Sequence, residues 1–103
     1  MITRKARVTW RLPEEGGRTV TLPTVTRYVV PAKFPDPPFS SPLSEMFSMV
    51  MEFDPAPSEQ GNPSIGTARL LFEEAPQEWL ATAPGFSLFE GVREVARVEL
   101  LDD

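Results

Sequence analysis

Apolar residues occupy every second position near the start of the chain: Ala6, Val8, Trp10 and Leu12. Charged residues and a threonine lie between them. Because successive side chains of a strand point to opposite faces, this period of two predicts a strand with one buried face. Gly16-Gly17 then predicts a tight reversal within residues 13–17, since glycine adopts a positive φ without steric cost.

The middle of the chain combines β-branched and proline-rich segments. Residues 18–22 and 25–30 have the composition of strands, and Pro23 between them predicts a bend or an edge position. Residues 31–42 contain five prolines. Each proline fixes φ and lacks an N–H donor, so we expect a long ordered loop or polyproline II there, and neither a helix nor a central strand. A second loop is predicted at residues 54–64.

Four more strands are predicted in the remainder of the chain. Residues 45–53 place one set of side chains on a single face: Phe47, Met49, Met51 and Phe53. Residues 65–74 place another set inward: Ala68, Leu70 and Phe72. Residues 86–89 and 92–101 flank Glu90-Gly91 and predict a closing hairpin. Six or seven strands separated by glycine and proline turns indicate an all-β fold, either a small antiparallel barrel or a sandwich, in a single domain of residues 1–103.

Short apolar clusters have a structural and a functional interpretation. Residues 76–80 predict one helical turn, whose Trp79 and Leu80 either close one end of the fold or anchor a partner. The methionines of residues 45–53 either fill an irregular core or form a pliable binding face. The spacing of Pro35 and Pro38 within residues 31–42 is that of a segment that docks on an aromatic groove, or simply of a structural loop.

The composition removes several kinds of chemistry. The chain has no cysteine and no histidine, which excludes disulfides, thiolate or histidine metal sites, a cysteine nucleophile and a Ser-His triad. Acid–base catalysis by carboxylates requires two of them to converge, whereas neighbours such as Glu73 and Glu74 point to opposite faces of a strand. Residues 54–59 lack the regular ligand spacing of a calcium loop. We expect no catalytic residue, no metal and no cofactor.

Charge is distributed unevenly over a chain whose net charge is −5. Residues 1–33 carry a net charge of +5 and residues 34–103 a net charge of −10. The basic third is interpreted either as solvated outer faces of strands or as a binding patch. Acids of the last strand, Glu94 and Glu99, are expected to lie opposite the bases of the first strand. The best candidates for contact with an anion or a partner are Arg18, Arg27 and Lys33.

Both ends of the chain resemble one known domain. The stretch from Lys5 through Pro13 to Glu14-Glu15-Gly16-Gly17-Arg18 is similar to the opening of the C-terminal β-barrel domain of elongation factor Tu, where an alternating strand runs into the same EEGGR string. Residues 49–51 fall at the middle strand of that family, and residues 86–96 resemble its closing hairpin. The resemblance implies a small closed antiparallel barrel of six strands, with proline-rich loops.

The departures from that family concern its function. No GxxxxGK[ST] loop is present, so the barrel stands alone without a GTPase domain in this chain. Residues 19–34 keep neither of the family's two motifs that hold the acceptor arm of transfer RNA. Residues 95–97 replace the glycine-rich start of its last strand. The resemblance therefore implies a barrel and does not carry over the tRNA-binding role.

The function expected from these observations is that of a non-enzymatic barrel that binds an unidentified protein partner. The alternative is a nucleic-acid or translation-associated binder that uses the basic N-terminal third, although a net acidic chain is a poor general binder of nucleic acid. No apolar run approaches the ~18 residues of a membrane span, and the N-terminus has no signal-peptide pattern. We expect no membrane association and a cytoplasmic location.

Overall fold

Six strands form a closed antiparallel barrel in the computed structural model, which describes residues 1–11, 22–34 and 46–101. The strands are β1 (Arg4–Trp10), β2 (Arg27–Lys33), β3 (Phe47–Phe53), β4 (Ser64–Leu70), β5 (Gly85–Glu90) and β6 (Arg93–Leu100). Their order around the barrel is β1-β4-β3-β2-β5-β6, and β6 pairs with β1 to close it. The predicted fold class, an all-β closed barrel of six antiparallel strands, is confirmed.

The core fills the barrel from the alternating positions of the strands. In β1 the buried residues are Ala6, Val8 and Trp10, as the period of two predicts. In β3 they include Met49, Met51 and Phe53, so these methionines fill the core and do not form an exposed face. Leu12 and the reversal predicted at residues 13–17 lie outside the described residues.

The second strand runs through a proline, and here the expectation of a loop beginning at residue 31 is wrong. β2 continues to Lys33, and Pro31 lies opposite Ser48 of β3. The N–H of Phe53 donates to the carbonyl of Thr26 at 2.7 Å, so by alternation the nitrogen of Pro31 points away from β3. On the side of β2 that faces β5, the two strands pair only at Ala32 and Lys33. The N–H that Pro31 lacks is therefore not needed for any described hydrogen bond between strands.

Residues 54–64 form a compact connection that contains a short helix, α1 (Pro57–Gln60), where only a loop was predicted. Two amide side chains hold it. The Gln60 side chain accepts a hydrogen bond from the N–H of Ile65 and donates to its carbonyl, each at 2.8 Å. Asn62 does the same with Trp10, accepting from its N–H at 2.8 Å and donating to its carbonyl at 2.9 Å. The end of the barrel next to α1 is called the α1 end below.

The opposite end of the barrel is covered by α2 (Gln77–Thr82), where one helical turn was predicted, and is called the α2 end below. Leu80 is fully buried in the core and Trp79 is half-buried against it. β4 stops at Leu70, and the turn that follows leaves Phe72 59% exposed, so the inward position predicted for Phe72 is wrong. Strand pairing ends before this residue, and the period of two no longer sets its direction.

The predicted closing hairpin is present as β5 and β6. Gly91 in its turn has a φ of 65°, which a residue without a Cβ adopts readily. The pairing register shifts after Leu88, so that Val95 and Ala96 are both buried although they are neighbours. This irregularity decides which outward residues of β6 lie opposite which residues of β5.

Candidate functional site

The bases of the N-terminal third lie on opposite walls of the barrel. β1 and β2 are separated by β4 and β3 in one direction and by β6 and β5 in the other. Lys5, Arg7 and Arg11 are therefore on the wall opposite Arg27 and Lys33. Within the described part of the chain, these five bases do not gather into one patch.

Most arginines of the β1 wall are engaged in contacts within the protein. Arg7 Nη1 lies 2.9 Å from Glu99 Oε1, and Arg11 Nη1 lies 3.2 Å from Glu94 Oε1, which confirms the expected opposition of these charges. Arg4 has a different role, since its Nη1 donates to the carbonyl of Ala83 at 2.8 Å. Contacts of this kind neutralise much of the positive charge of that wall.

Of the three candidate residues for an anion or partner contact, the two that the structure describes are not brought together. Arg18 lies outside the described residues. Arg27 begins β2 at the α1 end, and Lys33 ends the same strand at the α2 end. At a strand rise of ~3.3 Å per residue, these two backbone positions are roughly 20 Å apart. Each must therefore be judged with its own neighbours.

Lys33 borders an open groove of about 650 Å³ on the outer faces of β5 and β6. Its direct cross-strand partner is Ser87, and the direct partner of Ser87 on the other side is Arg97. All three residues line the groove. Sequence reasoning missed Ser87 and Arg97, because their positions depend on pairing between distant strands and on the register shift after Leu88.

An aromatic cluster lies beneath the surface of the α2 end. The rings of Phe34 and Trp79 have centroids 6.0 Å apart, and those of Phe47 and Trp79 have centroids 5.6 Å apart. Phe34 is buried, whereas the other two are half-buried. Trp79 thus closes this end of the barrel, and it also keeps part of its ring at the surface.

Two further apolar side chains extend this surface outward. Phe72 is 59% exposed and Met46 is 43% exposed. The carbonyl of Phe72 accepts hydrogen bonds from the N–H of Ala75 and the Gln77 side chain, each at 3.2 Å, which holds the turn beside α2. Met46 directly precedes Phe47. Four apolar side chains at the α2 end are therefore at least partly exposed, and together they are called its apolar surface below: Met46, Phe47, Phe72 and Trp79.

Carboxylates border this apolar surface. Glu73 and Glu74 follow Phe72 in the turn, and not in a strand as predicted, while Glu78 precedes Trp79 in α2. All three are exposed, and none has an ion pair with another residue in the described ranges. By contrast, Glu52 on the barrel wall lies 3.5 Å from Arg69, as Glu94 and Glu99 lie near arginines. Among the described carboxylates that have no ion pair, three therefore lie at the α2 end, and Asp54 and Glu59 lie at the α1 end.

The described residues contain no group of three or more carboxylates that could hold a metal ion. Neither described helix, of four and six residues, is long enough to cross a bilayer. No protein-family model matches the chain, and no curated protein matches it at a significant level.

Proposed function

We propose that this barrel is a non-enzymatic module that binds a protein partner through the α2 end. The observation that carries the proposal is the combination of an apolar surface, formed by Phe72, Met46 and the half-buried rings of Phe47 and Trp79, with three carboxylates that have no described ion pair. The partner segment with complementary chemistry is amphipathic and basic, with apolar side chains next to lysine or arginine.

Burial of the exposed aromatic ring supplies the driving force for this interaction. Phe72 exposes 59% of its surface, and full burial of such a side chain contributes roughly 1.5–3 kcal/mol. Aromatic residues at the centre of an interface, bordered by polar residues that exclude water, are typical of binding hot spots. The carboxylates add orientation and speed of association more than affinity.

The alternative function, nucleic-acid binding through the basic third, has less support. Phosphate contacts require lysine and arginine side chains on one surface. Here Arg7 and Arg11 contact Glu99 and Glu94, and Arg27 and Lys33 lie on the opposite wall. The geometry therefore favours the protein-binding function.

We also propose that the chain is related to the C-terminal domain of elongation factor Tu. The closed barrel of six antiparallel strands and the hairpin around Gly91 are consistent with the resemblance at the two chain ends. An experimental structure with a different strand order or an open barrel would contradict this relationship.

The binding proposal is tested with a synthetic amphipathic peptide of leucine and lysine, labelled for fluorescence anisotropy. Substitution Phe72→Ser should weaken binding at least about tenfold, equivalent to about 1.4 kcal/mol. The combined substitutions Glu73→Gln, Glu74→Gln and Glu78→Gln should weaken it less, chiefly by slowing association. Glu59→Gln is the matched control, because it removes an exposed carboxylate at the α1 end. It should leave the affinity unchanged.

Three outcomes would contradict the proposal. The first is absence of binding, and the second is an equal loss in the Glu59→Gln control. The third is a dimer of the protein, detected by light scattering, that Phe72→Ser dissociates, since the surface would then be covered by a second copy. A peptide in which glutamate replaces lysine should not bind, because its charge repels the carboxylates of this end.

A further inference from the structure

We propose that Lys33, Ser87 and Arg97 form a binding site for a phosphate monoester. This site lies on the outer wall of the barrel, where β2, β5 and β6 adjoin, and it does not depend on partner binding at the α2 end. Its three residues combine two cations with a hydroxyl group placed between them.

The strand register fixes this arrangement. Lys33 is the direct partner of Ser87, and Ser87 is the direct partner of Arg97. Directly opposed residues of antiparallel strands have Cβ atoms roughly 4.5–5.5 Å apart, and their side chains share one face. The ammonium and guanidinium groups therefore extend from the two sides of the Ser87 hydroxyl, at a spacing that their long side chains span.

The donors of this site are largely uncommitted. Within the described residues, the side chains of Lys33 and Ser87 have neither a hydrogen bond nor an ion pair. Arg97 is 79% exposed, and its contact with Glu94 is long, at 3.9 Å. The same carboxylate contacts Arg11 at the shorter distance of 3.2 Å. An anion at the site therefore competes with one weak contact only.

The carboxylates nearest to the site have arginine partners outside it. Glu94 and Glu99 also line the groove, and their carboxylates contact Arg11, which directly follows β1, and Arg7 of β1. β1 adjoins β6 on the side opposite to β5. Each of the two negative charges is therefore partly compensated by an arginine outside the site, and only Glu94 also contacts a residue of the site, Arg97.

The balance of charge favours a phosphate monoester over a carboxylate. A phosphate monoester carries about −1.5 to −2 charges at neutral pH and has three acceptor oxygens. Two cations and one hydroxyl donor match both the charge and the number of acceptors. The open groove, lined in part by the half-buried ring of Phe89, leaves room for the group that carries the phosphate.

The site is tested by amide NMR titration with inorganic phosphate and with a short phosphoserine peptide. We expect saturable shifts at the amides of Lys33, Ser87 and Arg97. Lys33→Gln and Arg97→Gln should each weaken binding about tenfold, since each removes a charged hydrogen bond. Lys5→Gln is the matched control, because it removes an exposed lysine of β1 that does not line the groove, and it should have no effect.

The two probes distinguish the sources of the phosphate. A phosphopeptide that binds more tightly than inorganic phosphate indicates a phosphorylated residue of a protein, and equal affinities indicate a free phosphate compound. In either case the affinity should fall below about pH 6, where the monoester becomes protonated. Substitutions at the α2 end should not change phosphate binding, which separates this proposal from the function proposed above.

The proposal is overturned by absence of saturable binding, or by affinities that Lys33→Gln and Arg97→Gln leave unchanged. An equal loss in Lys5→Gln has the same consequence, since it indicates general attraction to positive charge. An RNA hairpin that binds more tightly than the phosphopeptide also overturns it, because a phosphodiester would then be the preferred ligand.

Discussion

Ser64, at the start of β4, is fully buried and polar. Its hydroxyl accepts a hydrogen bond from the indole Nε1 of Trp10 at 3.1 Å and donates to the carbonyl of Gly61 at 2.6 Å. A serine hydroxyl is both donor and acceptor, so this one group satisfies the indole and the loop carbonyl together. Ser64 thereby ties the end of β1 to the connection that contains α1.

The substitution Ser64→Ala should lower the free energy of unfolding by about 1–3 kcal/mol, because it leaves the buried indole N–H of Trp10 without a partner. Urea denaturation measures this loss. Thr67→Ala, at an exposed position of the same strand, is the control and should stay within about 0.5 kcal/mol. Equal losses in the two variants would show that the hydrogen bonds of Ser64 contribute nothing specific.

At the scale of single residues, burial could be predicted wherever a strand continues in register. Ala6, Val8 and Trp10 are buried because alternation holds along the whole of β1. Phe72 has the same spacing relative to Leu70, yet it is exposed because β4 has already ended. The sequence pattern specifies the face of a residue in a strand, and it does not specify where pairing stops.

The short helix α2 is held at its C-terminal end by a side chain from β1. The guanidinium of Arg4 donates to the carbonyl of Leu80 at 3.2 Å and to that of Ala83 at 2.8 Å. The last carbonyls of a helix have no partner within it, and a cation at this end is also favoured by the helix dipole. Arg4 thus joins α2 to the barrel and is not available as part of a basic patch.

The substitution Arg4→Gln should loosen α2 locally, with a loss of about 1 kcal/mol of stability, the upper range for a cation at a helix C-terminus. Hydrogen exchange at the amide of Ala83, which bonds to the Trp79 carbonyl, should become faster. Lys5→Gln is the control, since this neighbour is exposed on the outer face of β1. Unchanged exchange in Arg4→Gln would mean that burial of Leu80 alone holds the helix.

At the scale of elements, the turn of α2 and the strands predicted within the described ranges were found, whereas the strand predicted at residues 18–22 falls almost wholly outside those ranges. The errors concern prolines and amide side chains. Pro31 was expected to exclude a central strand, but its nitrogen lies on a side of β2 that needs no donor. The helix α1 was missed because its single turn of four residues is too short to show a helical period, and the side chains of Gln60 and Asn62 bond the backbone next to it. Hydrogen bonds between a side chain and the backbone of this kind leave no periodic pattern in a sequence.

For the whole molecule, closure of the barrel decides how the charges are distributed. β1 and β2 are consecutive among the described strands, yet they lie on opposite walls. Lys33 was recognisable from the sequence as a candidate, whereas its neighbours Ser87 and Arg97 depend on long-range register. The unpaired carboxylates near Phe72 were likewise not predictable, because the sequence does not show which acids lie opposite an arginine.

The same distribution of charge predicts how the protein responds to nucleic acid. We expect no measurable binding to a labelled RNA hairpin or DNA duplex at ~150 mM salt, where exposed charges are screened beyond about 8 Å. Arg7 and Arg11 contact Glu99 and Glu94, so the combined substitutions Glu94→Gln and Glu99→Gln should expose positive charge on the wall formed by β1 and β6. In fluorescence anisotropy at about 50 mM salt, that variant should bind RNA more tightly than the unmodified protein, and the difference should shrink as salt rises, because phosphate contacts release counterions. Micromolar binding by the unmodified protein at ~150 mM salt would instead favour nucleic-acid binding over the protein-binding function. Lysine and arginine side chains would then bind a phosphate backbone although they lie on opposite walls and some of them are ion-paired.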